Sequence, residues 1–291
     1  MYKYGMVIWA KIGKNFLIKK NSYSMCVLYH IIKDFDLKVN SIAVIAGRPS
    51  PIQKIKIILL NTSKEIGYIK FSYLKLAQKR LQHEYEILSN LPQGIGPKPW
   101  KLEKVLQGTA LLISPIRGVP IKACLPPPED ILDFQKKLVI DYNIKLENHP
   151  WIKKLSDKGF SWWKWIEPLE KKKWHIVIEH GDFAPWNLLR DPTTGKIWAI
   201  DWEFGDLCGF PYIDIAYYFL QTSALIYKWN PKKSFKIASK YLQSRFGFNK
   251  HIANSLVKLS AFEAYWITSQ NGRSDDWPLQ RWRRKIWEIE E

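Results

Sequence analysis

The sequence predicts an α+β chain in two parts, with a small antiparallel β-sheet lobe carrying one helix at residues 1–116 and a larger, mainly helical lobe at residues 117–291. Three observations carry this. Strand-like apolar runs separated by turn residues fill the first third, one run of helical period among them is stopped by Pro92, and after about residue 212 the pattern is helical to the end. Strands and helices segregate rather than alternate, which separates α+β from α/β.

The elements follow in order. Residues 1–20 alternate loosely through Met6, Ile8, Ile12, Phe16 and Ile18 and suggest one or two strands, and residues 24–34 are apolar enough for a short helix. Ser41–Ala46 is a β-branched run ending in the turn Gly47-Arg48-Pro49-Ser50-Pro51. Residues 54–60 and 68–71 complete a three-strand meander. Residues 75–91 then place Leu76, Leu81, Tyr85, Leu88 and Leu91 at helical spacing. Residues 100–106 and 110–113 read as two further strands, and residues 114–120 as the connector between lobes. Pro126-Pro127-Pro128 ahead of Glu129 and Asp130 opens a helix with acids in its first turn. Residues 130–173 read as mostly helical and residues 174–201 as short apolar runs around loops.

Composition narrows the class. A chain of 291 residues with 46 % hydrophobic and 25 % charged residues is an ordinary globular composition. Three scattered cysteines, Cys26, Cys124 and Cys208, exclude a disulfide framework and a four-cysteine zinc site. No apolar run approaches the roughly 20 residues of a membrane helix. The N-terminus lacks an apolar segment with a small-residue cleavage site. A reducing, cytoplasmic setting is expected.

The formal net charge is +18, of which residues 1–116 carry +12. Such a field attracts anionic partners. Its lysines are scattered rather than blocked, so generic solubility explains it equally well. Residues 179–214 run against it, with Glu179, Asp182, Asp191, Asp201, Glu203, Asp206 and Asp214 facing only Arg190 and Lys196. Crowded carboxylates repel one another unless a cation or hydrogen-bond donors compensate, so this stretch reads either as a solvated loop or as a hard-oxygen metal site.

The spacing favours the second. His180-Gly181-Asp182-Phe183-Ala184-Pro185-Trp186-Asn187 follows the β-like run 176–178. Asp201 comes fourteen residues after Asn187, at the end of a second run, 197–200. A turn at residues 192–195 would bring the loop and Asp201 together. Phosphoryl transfer uses these parts: a carboxylate to take the proton of an attacking hydroxyl, and oxygen ligands for magnesium. Asn ligates without adding another repelling charge.

The pattern H-x-D-x-x-x-x-N followed by Asp resembles the protein kinase catalytic loop and its metal-binding Asp. With Ile200-Asp201-Trp202-Glu203, and Gly209-Phe210-Pro211 ahead of Asp214-Ile215-Ala216, it looks like the aminoglycoside phosphotransferase and choline kinase-like superfamily over roughly residues 41–291. The resemblance implies a two-lobed protein kinase-like fold, a nucleotide-binding first lobe and a catalytic second lobe. It implies transfer of the ATP γ-phosphate to a hydroxyl, with ATP and Mg2+ as cofactors. Asp182 would be the base, Asn187 and Asp201 the Mg2+ ligands, His180 a brace of the loop, and Asp214 its support. In the first lobe Lys70 would reach the ATP phosphates from the third strand. Glu84, fourteen residues on, would hold it; Glu86 lies about half a turn away on the helix and competes for that role. The turn at Gly47, Arg48 and Ser50 would cover the phosphates, though it holds one glycine and two prolines where a G-x-G-x-x-G loop is usual. Ser114 and Ile116 fall where backbone groups would meet adenine.

The acceptor is expected to be a small molecule or a sugar or glycan. An anionic or neutral one suits a +18 chain better than a polycation. Trp162, Trp163, Trp165, Trp186, Trp202, Trp266 and Trp277 offer flat faces for sugar rings or quaternary amines, or simply pack the core. Two other classes compete: a pseudokinase-like scaffold, and a basic protein binding nucleic acid or an anionic membrane surface. No aromatic-basic motif of a nucleic-acid module is present, which disfavours nucleic acid and leaves peripheral membrane contact open.

Overall fold

The structure is a computed structural model and describes residues 7–11, 30–47, 49–156 and 163–290. It divides into two compact units, Met1–Asn90 with Gly96–Arg117, and Leu91–Ile95 with Gly118–Glu291.

The first unit is built on a six-stranded antiparallel sheet in the order β1-β2-β3-β4-β6-β5. Its strands are β1 (Val7–Lys11), β2 (Ser41–Ala46), β3 (Ile55–Asn61), β4 (Lys64–Ser72), β5 (Pro99–Val105) and β6 (Gly108–Ile113). The strand expected in residues 1–20 is β1; of the helix expected at 24–34, only residues 30–32 are described as helical, and 24–29 lie outside the described residues. Alternation sorts the side chains by face. Ile57, Leu59, Ile69, Phe71, Ala110 and Leu112 join Ile31, Val39, Ile42 and Val105 in one apolar cluster. Lys70, between Ile69 and Phe71, therefore projects from the opposite face. Helix α1 (Lys75–Asn90) buries Ala77, Leu81, Glu84, Ile87 and Leu88, a stripe at three- and four-residue spacing that includes one carboxylate. The β2–β3 turn closes through Gly47 N donating to Lys54 O (3.0 Å) and Gln53 Nε2 donating to Gly47 O (2.6 Å).

The second unit carries two small sheets, β11-β10-β7 and β12-β9-β8. Its strands are β7 (Val119–Pro120), β8 (Val139–Lys145), β9 (Lys173–Glu179), β10 (Leu188–Arg190), β11 (Ile197–Ala199) and β12 (Asp206–Gly209). Its helices are α2 (Glu129–Lys136), α3 (Pro150–Ser156), α4 (Trp163–Ile166), α5 (Ile213–Leu225), α6 (Pro231–Phe246), α7 (Lys250–Gln270) and α8 (Pro278–Trp287). Caps mark the last bundle. Asn230 and Asn249 side chains accept from Lys233 N and Ile252 N, and Gly247 (φ +69°) ends α6. Every residue from Ile252 to Ala264 of α7 is buried, as in a helix with neighbours on all sides.

The helical reading of residues 130–173 needs correction. Strand β8 interrupts it, pairing antiparallel with β9 in a register that shifts twice. Val139, Ile140, Tyr142 and Ile144 are β-branched or aromatic residues that favour a pleated ribbon. The pairing partners lie 28 to 38 residues further on, from Lys145 with Lys173 to Val139 with Val177, beyond the reach of local periodicity. Residues 114–120 are likewise not a plain connector: Val119 and Pro120 pair with Arg190 and Leu189 in β10. Among the described residues no helix is long and apolar enough to cross a membrane.

Candidate active site

The second unit assembles the motif through a hairpin. Strands β10 and β11 pair Leu188 with Ala199 and Arg190 with Ile197. The turn between them is held by Asp191, whose Oδ1 accepts from Thr193 N (2.8 Å) and Thr194 N (3.0 Å). One residue beyond the strands, Ile200 N donates to Asn187 O (2.9 Å). Residue 201 thus follows directly on the residue bonded to Asn187, and Asp201 itself is in the left-handed region at φ +63°.

His180 joins the two halves. It is fully buried, Nδ1 accepts from Asp182 N (3.2 Å), and Nε2 lies 2.9 Å from Ile200 O. One neutral tautomer satisfies both contacts, with the proton on Nε2 donated to the carbonyl. Trp202 packs on the ring at 4.5 Å between centroids and is itself fully buried. Of the two roles expected for it, a face for a sugar or part of the core, Trp202 therefore takes the second; residues 162 and 163 lie outside the side chains described.

Below the loop, Asp214 on α5 accepts from His180 N (2.7 Å) and Gly181 N (3.1 Å) through its two oxygens. Burial pushes its carboxyl upward in pKa, and these two donors oppose that. Gly181 sits at φ +73°, where a Cβ would lie 2.3 Å from Phe204 O.

Asp182 is held at both oxygens. Asn187 Nδ2 donates to Oδ2 (2.8 Å) and to the Asp182 backbone oxygen (2.9 Å), and Tyr217 OH donates to Oδ1. Burial raises the Asp182 pKa to about 6; the Tyr217 and Asn187 hydrogen bonds and the Arg283 charge pull it down, and the Asp201 charge raises it. Because Asn187 commits both amide protons to Asp182, its amide oxygen is the atom left for a cation. With the Asp201 carboxylate it would offer two hard-oxygen donors. Magnesium suits such a pair, since it is usually held by one or two protein groups plus phosphates and water. Among the described residues no group of three or more His, Cys, Asp or Glu could hold a metal by itself.

Three of the four remaining acids of the 179–214 stretch serve structural contacts. Asp191 caps the turn, Asp206 pairs with Lys154, and Glu179 Oε2 accepts from Phe210 N (3.3 Å).

In the first unit, Lys70 Nζ meets Glu84 Oε1 at 2.5 Å, with Lys70 6 % and Glu84 0 % exposed. Glu86 instead accepts from Gln82 Nε2 at the exposed surface. Glu84 lies three residues after Leu81 and four before Leu88, on the buried stripe of α1, which is why it reaches the sheet and Glu86 does not. Gly47 is pinned by turn closure, where a Cβ would approach Lys54 O to 2.9 Å. Ser50 O accepts from Gln53 N, and Arg48 lies outside the described residues. Ser114 bonds Lys98 through its backbone N–H (2.9 Å) and its hydroxyl (2.8 Å), and Ile116 is half-buried.

Sequence reasoning passed over Tyr217, Gln221 and Arg283, which stand behind Asp182. A signal existed for the first two: they follow Asp214 by three and seven residues, hence on one face of α5. Arg283 had none.

The sheet unit with its long helix and the mainly helical unit make this an α+β protein, and its fold is protein kinase-like. Residues 114–232 match the model of the phosphotransferase enzyme family known as APH. That span contains the whole loop from His180 to Asp201, and the resemblance read from the sequence is borne out. A thermostable mutant of aminoglycoside phosphotransferase APH(4)-Ia, solved with ADP and hygromycin B, superposes with a TM-score of 0.53 at 10 % identity, over 89 % of this chain and 95 % of that one. A protein of Ralstonia eutropha JMP134 named provisionally as an aminoglycoside phosphotransferase gives 0.49 at 12 % identity, over 91 % and 94 %. Aminoglycoside-3'-phosphotransferase of type VIII gives 0.39 at 18 %, over 75 % and 88 %. No curated protein matches the chain.

Proposed function

We propose that this chain is a phosphotransferase that moves the γ-phosphoryl group of ATP to a hydroxyl of a small molecule or sugar. The observation that carries this reading is the Asp182 carboxylate, held at both oxygens next to Asn187 and Asp201 within the family-matched segment. Asp182 takes the proton of the acceptor hydroxyl as its oxygen bonds to the γ-phosphorus and the bond to the β-phosphate oxygen breaks, releasing ADP. Asn187 and Asp201 would hold Mg2+, which when bound offsets phosphate charge. In the first unit Lys70, oriented by Glu84, would take the nucleotide phosphates. His180 and Asp214 fix the loop backbone so that the base does not wander.

The acceptor is neutral or anionic in this reading, since a +18 chain repels polycations over most of its surface. The test has two stages. Thermal unfolding with ATP should rise with Mg2+ and fall back with a chelator. Labelled ATP is then offered with neutral, anionic and polycationic hydroxyl compounds, using the full chain and its Asp182→Asn variant. Transfer that needs Asp182 supports the reading; transfer undiminished in the variant overturns it.

A further inference from the structure

We propose that Tyr217 is the positioning residue of Asp182: its hydroxyl, aligned from behind by Gln221, fixes the rotation of the carboxylate so that one oxygen stays directed at the acceptor. This rests on reading Asp182 as the base.

The argument begins on α5. Asp214, Tyr217 and Gln221 fall at i, i+3 and i+7, one face of a helix. Asp214 grips the loop backbone at residues 180 and 181, and Tyr217 grips the side chain of residue 182. One helix face therefore sets both where the loop runs and how its carboxylate is turned.

A phenol carries a single proton. Gln221 Nε2 donates to the Tyr217 oxygen at 2.5 Å, occupying an acceptor position and leaving the proton to point at Asp182 Oδ1. Burial holds the Tyr217 pKa well above 10, so it remains a donor. Arg283 completes the backing: its Nη1 is tied to Ala264 O (3.0 Å), Thr268 Oγ1 (2.7 Å) and Gln280 Oε1 (3.0 Å), and its charge acts on both Tyr217 and Asp182. Tyr217, Gln221 and Arg283 are 8 %, 5 % and 5 % exposed.

The space behind these groups, bounded also by Ser260, Ala264 and Leu279, measures about 10 Å3. That is at most one water molecule and no acceptor. With its hydroxyl bonded to Gln221 and to Asp182, Tyr217 acts through Asp182.

Asn187 anchors Oδ2 and Tyr217 anchors Oδ1. Removing one anchor frees rotation about Cβ–Cγ, and small misplacements of a reacting group cost large factors in rate.

Tyr217→Phe keeps the ring and deletes only the hydroxyl. In the full chain, with Mg2+ and ATP and water as acceptor, kcat is expected to fall about 10- to 100-fold while the KM for ATP stays within about twofold. Gln221→Leu should show the same split with a smaller fall. A second readout does not depend on turnover: Tyr217→Phe should lower the unfolding temperature in the wild-type background and less so in Asp182→Ala, because the lost contact is already missing there. An unchanged kcat in Tyr217→Phe, or equal temperature shifts in the two backgrounds, overturns the proposal. If Asp182→Asn turns over ATP like wild type, the base assignment fails first; if Asp182→Asn is inactive while Tyr217→Phe is fully active, only the positioning role fails.

Discussion

Asn187 turns both protons of its side-chain amide onto a single neighbour, the backbone and side-chain oxygens of Asp182. Candidate base and candidate metal ligand are thus one mechanical unit. Asn187→Ala removes an oxygen donor and loosens the carboxylate together. Even outer-shell metal partners cost about 10- to 100-fold when replaced, so a direct ligand should cost no less. Titrating Mg2+ into the ATP turnover assay should show a rise in the half-maximal concentration; an unchanged midpoint removes Asn187 from the metal set.

Lys70 and Glu84 form a buried ion pair, for which truncating one partner is far worse than removing both. Glu84→Gln should cost about 3–5 kcal/mol in urea unfolding by leaving an ammonium group without its countercharge. The double change Lys70→Met with Glu84→Leu should recover most of that stability yet lose the thermal shift caused by ATP. A double variant that still responds to ATP would show that Lys70 does not serve the nucleotide.

Gly181 and Gly195 provide a matched comparison, with φ of +73° and +71°. A Cβ at Gly195 meets nothing within 4 Å, whereas at Gly181 it meets Phe204 O at 2.3 Å and Phe204 C at 2.9 Å. Gly195→Ala should cost only the left-handed backbone penalty of about 1–2 kcal/mol and keep its turnover. Gly181→Ala should cost clearly more and abolish turnover, although no functional group is lost. Equal effects in melting and activity assays would mean the loop can move aside.

His149 predicts the direction of acid sensitivity. It is buried, its Nε2 lies 3.1 Å from His175 O, and its Nδ1 accepts from Trp151 N (3.2 Å), a pair of contacts made by a neutral ring. Burial, against the His175 contact and with the Lys154 charge, lowers its pKa below the ordinary 6.5. The unfolded chain therefore binds the proton first. This contribution to stability is complete above pH 6.5 and is lost as pH falls through the folded value. His149→Gln, which also donates and accepts, should flatten the urea midpoint between about pH 7 and 5. A slope identical to wild type would place the acid sensitivity elsewhere.

The strands and helix of residues 41–113, the segregated α+β class and the loop from His180 to Asp201 were legible because each depends on residues close together in the chain. Strand alternation, helical spacing and turn residues encode element type and face, and helical phase alone separates Glu84 from Glu86. The hairpin between Asn187 and Asp201 is likewise a local device. Tertiary structure decided the rest. Val139–Lys145 became a strand because β9 offers it an edge. Of the seven acids between 179 and 214, packing sent Asp191, Asp206, Glu179 and Asp214 to structural partners. It also brought Arg283, a hundred residues downstream, behind Asp182. A buried polar group must find its partner wherever the fold delivers one, and that choice is made by segments far apart in sequence.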